Sequence, residues 1–245
     1  MTIIIDNNVC ECTPGEYVLD VAKRNGLTIP SLCRHPAIEP DGCCRLCIVE
    51  IFDKKKSFIA ISCAYPIEGE IEVRTDTERV KRQREITLAF LHKRAPGSEV
   101  IKNMCSQYSV PEFDRLKTEN EPSKCILCGL CARVCSELGT GAITTVGRGA
   151  DKTVDTPYKE PSAACIGCAS CANVCPTEAI AVTDTEKTRE IWHRMFEFEY
   201  CESCGAASYT KEAIAWAEKL SGAKQDGLCA ECRKQAAAKQ VMNYL

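Results

Sequence analysis

The sequence is short of most things that would let a chain of this size stand on an apolar core or act on nucleic acid. Aromatic residues make up 6% of its 245 positions, and the 45% apolar fraction counts 20 cysteines among its members. Without those cysteines the apolar content is thin, so staples other than packing are expected. Lys and Arg number 31 against 34 Asp and Glu, a net charge of −3. That balance lacks the cationic surplus that general nucleic-acid binding requires. No apolar run approaches the roughly 20 residues that cross a bilayer. The opening Met-Thr-Ile-Ile-Ile-Asp has no basic stretch, long apolar stretch or cleavage site of a secretory signal. The three histidines, His35, His92 and His193, stand in no nucleophile or acid–base pattern. There is no strand-borne G-x-G-x-x-G and no Walker loop, and Gly147-Arg-Gly149 is too short to count. Nothing in the residues marks a substrate-transforming site.

Cysteine is what the sequence has in excess. Disulfides belong to oxidising compartments, whereas this chain is expected to be cytoplasmic and reduced. There, clustered cysteines are more often metal ligands. They fall into groups separated by ordinary sequence.

The first group is Cys33, Cys44, Cys47 and Cys63, spaced C-x10-C-x2-C-x15-C. A tight C-x2-C pair supplies two thiolates from one turn, and two distant cysteines complete the set. This is the logic of a plant-type [2Fe-2S] site with a longer first loop; zinc is the competing reading. Small Ser31 and Gly42 leave room for backbone amides near the sulfurs. Cys43 competes with Cys44, but only Cys44 makes the C-x2-C turn with Cys47. His35, beside Cys33, is a candidate for tuning the site.

Ser31-Leu-Cys-Arg-His-Pro, Gly42-Cys-Cys-Arg-Leu-Cys-Ile-Val-Glu50 and Ser62-Cys-Ala together resemble a known two-iron domain. It opens the large iron–sulfur subunit of respiratory NADH dehydrogenase and the diaphorase iron–sulfur subunit of NAD-reducing hydrogenases. It also opens the catalytic subunit of electron-bifurcating iron hydrogenases. The G-x-C-R-x-C motif of that family maps its ligands onto Cys44 and Cys47. The family usually carries next a four-iron cluster bound by one histidine and three cysteines. Here His92 and Cys105 are the only remnants, so that cluster is expected to be missing and His92 to be a surface or helix-end residue.

Two four-cysteine runs follow: Cys125, Cys128, Cys131, Cys135, then Cys165, Cys168, Cys171, Cys175-Pro176. This is the two-cluster ferredoxin signature, in which the fourth cysteine of each run reaches to the other cubane. Cys125, Cys128, Cys131 and Cys175 are therefore expected to hold the first [4Fe-4S] cluster, and Cys135, Cys165, Cys168 and Cys171 the second. Gly129 and Gly167 are expected to let the backbone pack closely. Ser136 stands where a proline commonly follows the ligand. The stretch Pro122-Ser-Lys-Cys-Ile-Leu-Cys-Gly-Leu-Cys-Ala-Arg-Val-Cys135, with Val146-Gly-Arg-Gly149, again resembles the same subunits. The resemblance thus runs over about residues 1–185.

The last group, Cys201, Cys204, Cys229 and Cys232, has C-x2-C-x24-C-x2-C spacing. It suits a structural zinc or one further iron–sulfur cluster. Cys10, Cys12, Cys43 and Cys105 are left over, and Cys10 and Cys12 share a strand face.

The expected fold class is α+β. Residues 2–5, 9–12, 47–52, 57–62 and 70–74 read as strands and 17–24 as a helix, a β-grasp [2Fe-2S] ferredoxin-like domain over 1–76. Residues 77–120 read as a helical linker region. Its amphipathic helix, 77–94, is expected to face inward with Val80, Thr87, Leu88 and Leu91. Arg79, Lys81, Arg82, Arg84, Lys93 and Arg94 would then face outward, as a solvated surface or a docking patch. Residues 121–190 read as the 2x[4Fe-4S] ferredoxin domain, with 147–161 irregular. Residues 191–245 read as a small four-cysteine metal-binding C-terminal module with a helix at 210–220.

Several one-electron carriers in one chain make a wire, useful only between redox sites on other chains. The resemblance implies a flavoprotein NAD(P)H-oxidising subunit at one end and a hydrogenase or formate dehydrogenase type catalytic subunit at the other, with electron bifurcation as an option. The alternatives are a free multi-cluster ferredoxin-like shuttle and a multi-zinc binding module.

Overall fold

The computed structural model describes residues 1–53, 56–111 and 123–242. The end of the expected linker region and Pro122 lie outside the described residues. The chain forms two compact units, one of residues 1–130 with 175–179, the other of residues 131–174 with 180–245.

In the first unit β1 (Thr2–Ile5) pairs antiparallel with β2 (Asn8–Glu11), in register Thr2↔Glu11 to Ile5↔Asn8. Asp6 and Asn7 join them at φ of 45° and 68°, the left-handed pair that a two-residue hairpin demands and that short polar side chains tolerate. Helix α1 (Val18–Arg24) follows and buries Val18, Leu19, Val21 and Ala22. Then come β3 (Ile48–Asp53), β4 (Lys56–Ile61) and β5 (Glu72–Arg74). The sheet order is β2-β1-β5-β3-β4, with β5 parallel to β1 and antiparallel to β3. Alternate residues Ile3 and Ile5, with Val49, Ile51 and Val73, pack against α1. Cys10 and Cys12 are buried in this core, and their thiols donate to the Asn8 and Met1 carbonyls.

Helix α2 (Glu78–Arg94) starts where the Thr77 hydroxyl accepts from the Val80 amide, and α3 (Glu99–Gln107) where Ser98 does the same for Ile101. The inner face of α2 is Val80, Arg84, Leu88 and Ala89. Thr87 and Leu91, expected inside, are half-buried, and Arg84, expected outside, is 4% exposed. Val80, Arg84 and Leu88 are spaced four apart, so one ridge carries all three inward. His92 is half-buried in the last turn of α2, and the Cys105 thiol of α3 donates to the Leu88 carbonyl.

Helix α4 (Leu130–Glu137) leads into the second unit. Strands β6 (Thr144–Val146) and β7 (Thr153–Asp155) pair antiparallel, the latter inside the stretch expected to be irregular. Gly147 turns the chain there at φ 73°, where a Cβ would sit 2.7 Å from the Asp151 carbonyl oxygen. Next come the short helix α5 (Ser170–Asn173) and strands β8 (Thr183–Asp184), β9 (Thr188–Ile191), β10 (Arg194–Tyr200) and β11 (Ala207–Thr210). They form an antiparallel sheet in the order β11-β10-β9-β8. The domain boundary expected after residue 190 falls inside β9, because Trp192 and His193, at φ 52° and 61°, turn β9 straight back into β10. Helix α6 (Lys211–Ser221) is capped by Thr210 and closed by left-handed Gly222; α7 (Ala230–Met242) ends the described chain. The core of this unit is rich in sulfur: Cys131, Cys165 and Cys171 are buried with Ala142, Ile143, Ile191 and Phe196.

Candidate metal centres

The loop from α1 to β3 carries Cys33, Cys44 and Cys47, and the turn after β4 carries Cys63. All four are at most 2% exposed. The sulfurs gather as two pairs. Cys33 and Cys44 have their Sγ atoms 3.3 Å apart, and the Cys44 amide donates to Cys33 Sγ over 3.3 Å. Cys47 and Cys63 share the second thiol–thiol hydrogen bond. Ser62 ties that pair together, its amide and hydroxyl both donating to the Cys47 carbonyl. Within each pair one sulfur is driven towards thiolate. The hydrogen bond from Cys33 brings Cys44 down to about 6, and that from Cys63 brings Cys47 down to about 7. The donors Cys33 and Cys63 are raised. Two thiol pairs suit two metal ions with two thiolates each, the demand of a [2Fe-2S] group. Cys43 is exposed, 2.9 Å from Asp41 Oδ2.

Two arginines that the sequence reading did not assign to the site hold this loop. Arg34 makes a two-point pair with Asp20 and donates to the His35 and Ile38 carbonyls. Arg84 donates from Nε to the Leu46 carbonyl at 3.2 Å and from Nη2 to the Ile48 carbonyl at 2.9 Å. Those two residues flank Cys47. A third bond reaches the Thr75 carbonyl, and the guanidinium lies over the Tyr108 ring. The charge of Arg84 acts on Cys47, that of Arg34 on Cys63. His35, a candidate for tuning the site, accepts at Nδ1 from the Ala37 amide.

In the first run Leu127 and Gly129 both take positive φ, 54° and 74°. In the second run Gly167 and Ala169 do so, at 68° and 57°. The same two positions are left-handed in both loops, although the glycines are exchanged between them. That alternation turns amides inward, as in an anion-binding nest. The Leu127 amide donates to Cys125 Sγ at 3.4 Å and the Ala179 amide to Cys175 Sγ at 3.3 Å. Burial, then the charges of Cys175, Cys125 and Cys44, push Cys128 up to about 11. Cys125, Cys128 and Cys175 thus lie within electrostatic reach of one another and of the [2Fe-2S]-type loop. Arg94, at the end of α2, acts on Cys125.

In the second unit Cys135, Cys165, Cys168 and Cys171 line one small pocket, with Ile143, Ile166, Ile191 and Trp192 among its walls. Cys135 Sγ accepts from the Ala142 amide at 3.2 Å and touches Thr140 Oγ1 at 3.1 Å. The Trp192 indole donates to Cys171 Sγ at 3.4 Å. Burial raises Cys171 to about 11, and the indole works against it. Cysteine sulfurs gathered among amide and indole donors and apolar walls fit a group that takes them as thiolates. Arg189 and Arg194 hold this loop as Arg84 holds the other, donating to the carbonyls of Gly167 and Cys165. Gly167 makes room for Phe196: a Cβ there would lie 2.6 Å from the ring.

Cys201, Cys204, Cys229 and Cys232 come together at the end of β10 and the start of α7, with all four sulfurs within 4.8 Å of one another.

Residues 1–78 match the 2Fe-2S iron-sulfur cluster binding domain family, and residues 124–179 and 164–210 match the 4Fe-4S dicluster domain family. The chain is an iron–sulfur protein. Over 200 residues, 72% of its length, this iron–sulfur protein is 30% identical to the NADPH-Fe(3+) oxidoreductase subunit alpha of Geobacter sulfurreducens. Over 210 residues it is 27% identical to the NADP-reducing hydrogenase subunit HndD of Solidesulfovibrio fructosivorans. It spans 23% and 36% of the lengths of those relatives. Among solved structures, a chain of the NAD+-reducing [NiFe]-hydrogenase in the H2-reduced state matches with a TM-score of 0.55 and 29% identity. That match covers 63% of this iron–sulfur protein and 74% of the hydrogenase chain. No helix among the described residues is long and apolar enough to cross a membrane.

Proposed function

We propose that this chain relays electrons inside a multi-subunit oxidoreductase, between a flavoprotein that oxidises NADH or NADPH and a low-potential catalytic subunit of hydrogenase or formate dehydrogenase type. Cys33, Cys44, Cys47 and Cys63 would hold a [2Fe-2S] cluster on a β-grasp domain, 1–76, a reading the β2-β1-β5-β3-β4 order supports. Cys125, Cys128 and Cys175, with Cys131 from the run's spacing, would hold one [4Fe-4S] cluster. Cys135, Cys165, Cys168 and Cys171 would hold the second, within a ferredoxin domain over 121–190. Bound clusters would carry one electron each, at potentials set by hydrogen bonds, charge and burial. The protein's part is to keep the thiols dry, aim amides at them, and anchor the loops through arginines.

The observation that carries the reading is the succession of thiol sites. Cys44 of the first site acts electrostatically on Cys128 of the next, which supports exchange between neighbouring sites without a mobile carrier. The names of the relatives, an NADPH-linked oxidoreductase and an NADP-reducing hydrogenase, favour a nicotinamide-linked complex over a free shuttle. Protein purified without air should contain about ten irons per chain in three clusters. It should co-elute with a flavoprotein from native extract. Iron-free protein overturns the reading, and a lone monomer with full iron turns it into the shuttle.

A further inference from the structure

The C-terminal cysteines differ in geometry from the other three sets. Their four sulfurs all lie within 4.8 Å of one another, and Cys204 Sγ is 3.9 Å from Cys229 Sγ. A tetrahedral ion with zinc–sulfur bonds of ~2.3 Å puts its thiolates about 3.8 Å apart. A cluster spreads its cysteines over several irons, with the inorganic core between them. Among the described residues, no other group of three or more His, Cys, Asp or Glu side chains is gathered to hold one ion. The chain's own cluster-type loops are the contrast.

The surroundings match. Each C-x2-C is a knuckle with amides turned onto sulfur. The Cys229 amide donates to Cys201 Sγ at 3.3 Å, and the Cys232 amide to Cys229 Sγ at 3.4 Å. Gly205, at φ 70°, closes the first knuckle, its amide 2.8 Å from the Cys201 carbonyl. The Glu202 amide meets the Gly227 carbonyl at 3.0 Å and joins the two knuckles. Arg233 braces the second knuckle through Asp226 and the Leu228 carbonyl. Around them there is little to fold on. Among the described side chains from residue 201 onward, only Cys201 and Thr210 are buried. A segment of some 40 residues with no apolar core needs a metal or a disulfide to hold it, and these four cysteines are free.

We infer that Cys201, Cys204, Cys229 and Cys232 hold a single structural zinc ion that serves as the core of the segment 201–242 and takes no part in electron transfer. Zinc outbinds ferrous iron at a given sulfur site and has no redox chemistry. The inference does not rest on the electron-relay reading.

The test uses the full chain, expressed and purified without air, and its Cys229→Ser/Cys232→Ser variant. Zinc is expected at about one per chain. In the variant it should fall at least tenfold with iron unchanged, and new protease cuts should appear within 201–242 but not before it. A loss of one, two or four irons instead of zinc overturns the inference. If the variant does not fold, the wild-type chain decides. Produced in cobalt-containing medium, it should show the intense sulfur-to-cobalt and tetrahedral ligand-field bands of a tetrathiolate cobalt site; their absence overturns it. A zinc-bearing chain without iron would sink the electron-relay reading and leave this one standing.

Discussion

The indole N–H of Trp192, at the tip of the β9–β10 turn, lies 3.4 Å from the sulfur of Cys171. A hydrogen bond to a ligand sulfur favours the more negative, reduced form of a cluster and raises its potential. A net worth of ~0.5–1.5 kcal/mol converts to about 20–60 mV for one electron. Trp192→Phe should therefore lower the midpoint potential of one [4Fe-4S] centre by that amount, with iron content unchanged. A redox titration followed by electron paramagnetic resonance reads it. An unshifted potential would mean that the indole only packs.

Arg84 separates charge from anchoring. Arg84→Met removes bonds to the carbonyls of Leu46, Ile48 and Thr75. Buried acceptors left unsatisfied should cost about 2–4 kcal/mol, read as a lower denaturation midpoint. The variant should also lower the [2Fe-2S] potential, because a cation beside Cys47 is lost. Arg84→Lys keeps the charge but not the fork. It should lose stability while holding the potential nearer to wild type; equal potentials in the two variants would reject the electrostatic role.

Cys43 and Cys44 are adjacent yet opposite in environment, one exposed and one buried beside Cys33. Cys43→Ser should keep the [2Fe-2S] absorption and signal, whereas Cys44→Ser should lose both. The reverse pattern would move the ligand to Cys43.

Gly167→Ala should be among the most damaging single-methyl changes. The new Cβ would lie 2.6 Å from the Phe196 ring on a backbone at φ 68°. Overpacking and left-handed strain together should cost about 2–4 kcal/mol. Phe196→Leu in the same chain should restore part of that loss, the steric part. If it restores none, the backbone conformation is the whole cause.

Cysteine spacing made the sites legible, because ligand chemistry is local: a C-x2-C turn must present two thiolates whatever surrounds it. The choice of Cys44 over Cys43 followed from that turn, and the structure buries Cys44 beside Cys33. The arginines were less legible. Arg84 was read as surface because it is charged, although its spacing from Val80 and Leu88 set it on the inward ridge. Trp192 carried no signal, since its partner sulfur is 21 positions away. The hairpin across residue 190 was lost for a related reason: Trp-His is not the usual turn pair, and only the packed strands on either side hold both residues at positive φ.

By itself the sequence determined which thiols are grouped and the order of the sites along the chain, since both are properties of covalent spacing. Only the tertiary structure decided how far apart the sulfurs of each group stand. Two pairs at the first site, a pocket lined by four thiols in the second unit and one tight set at the C-terminal end are consequences of packing, and the separation of the donors sets how many metal ions they can hold.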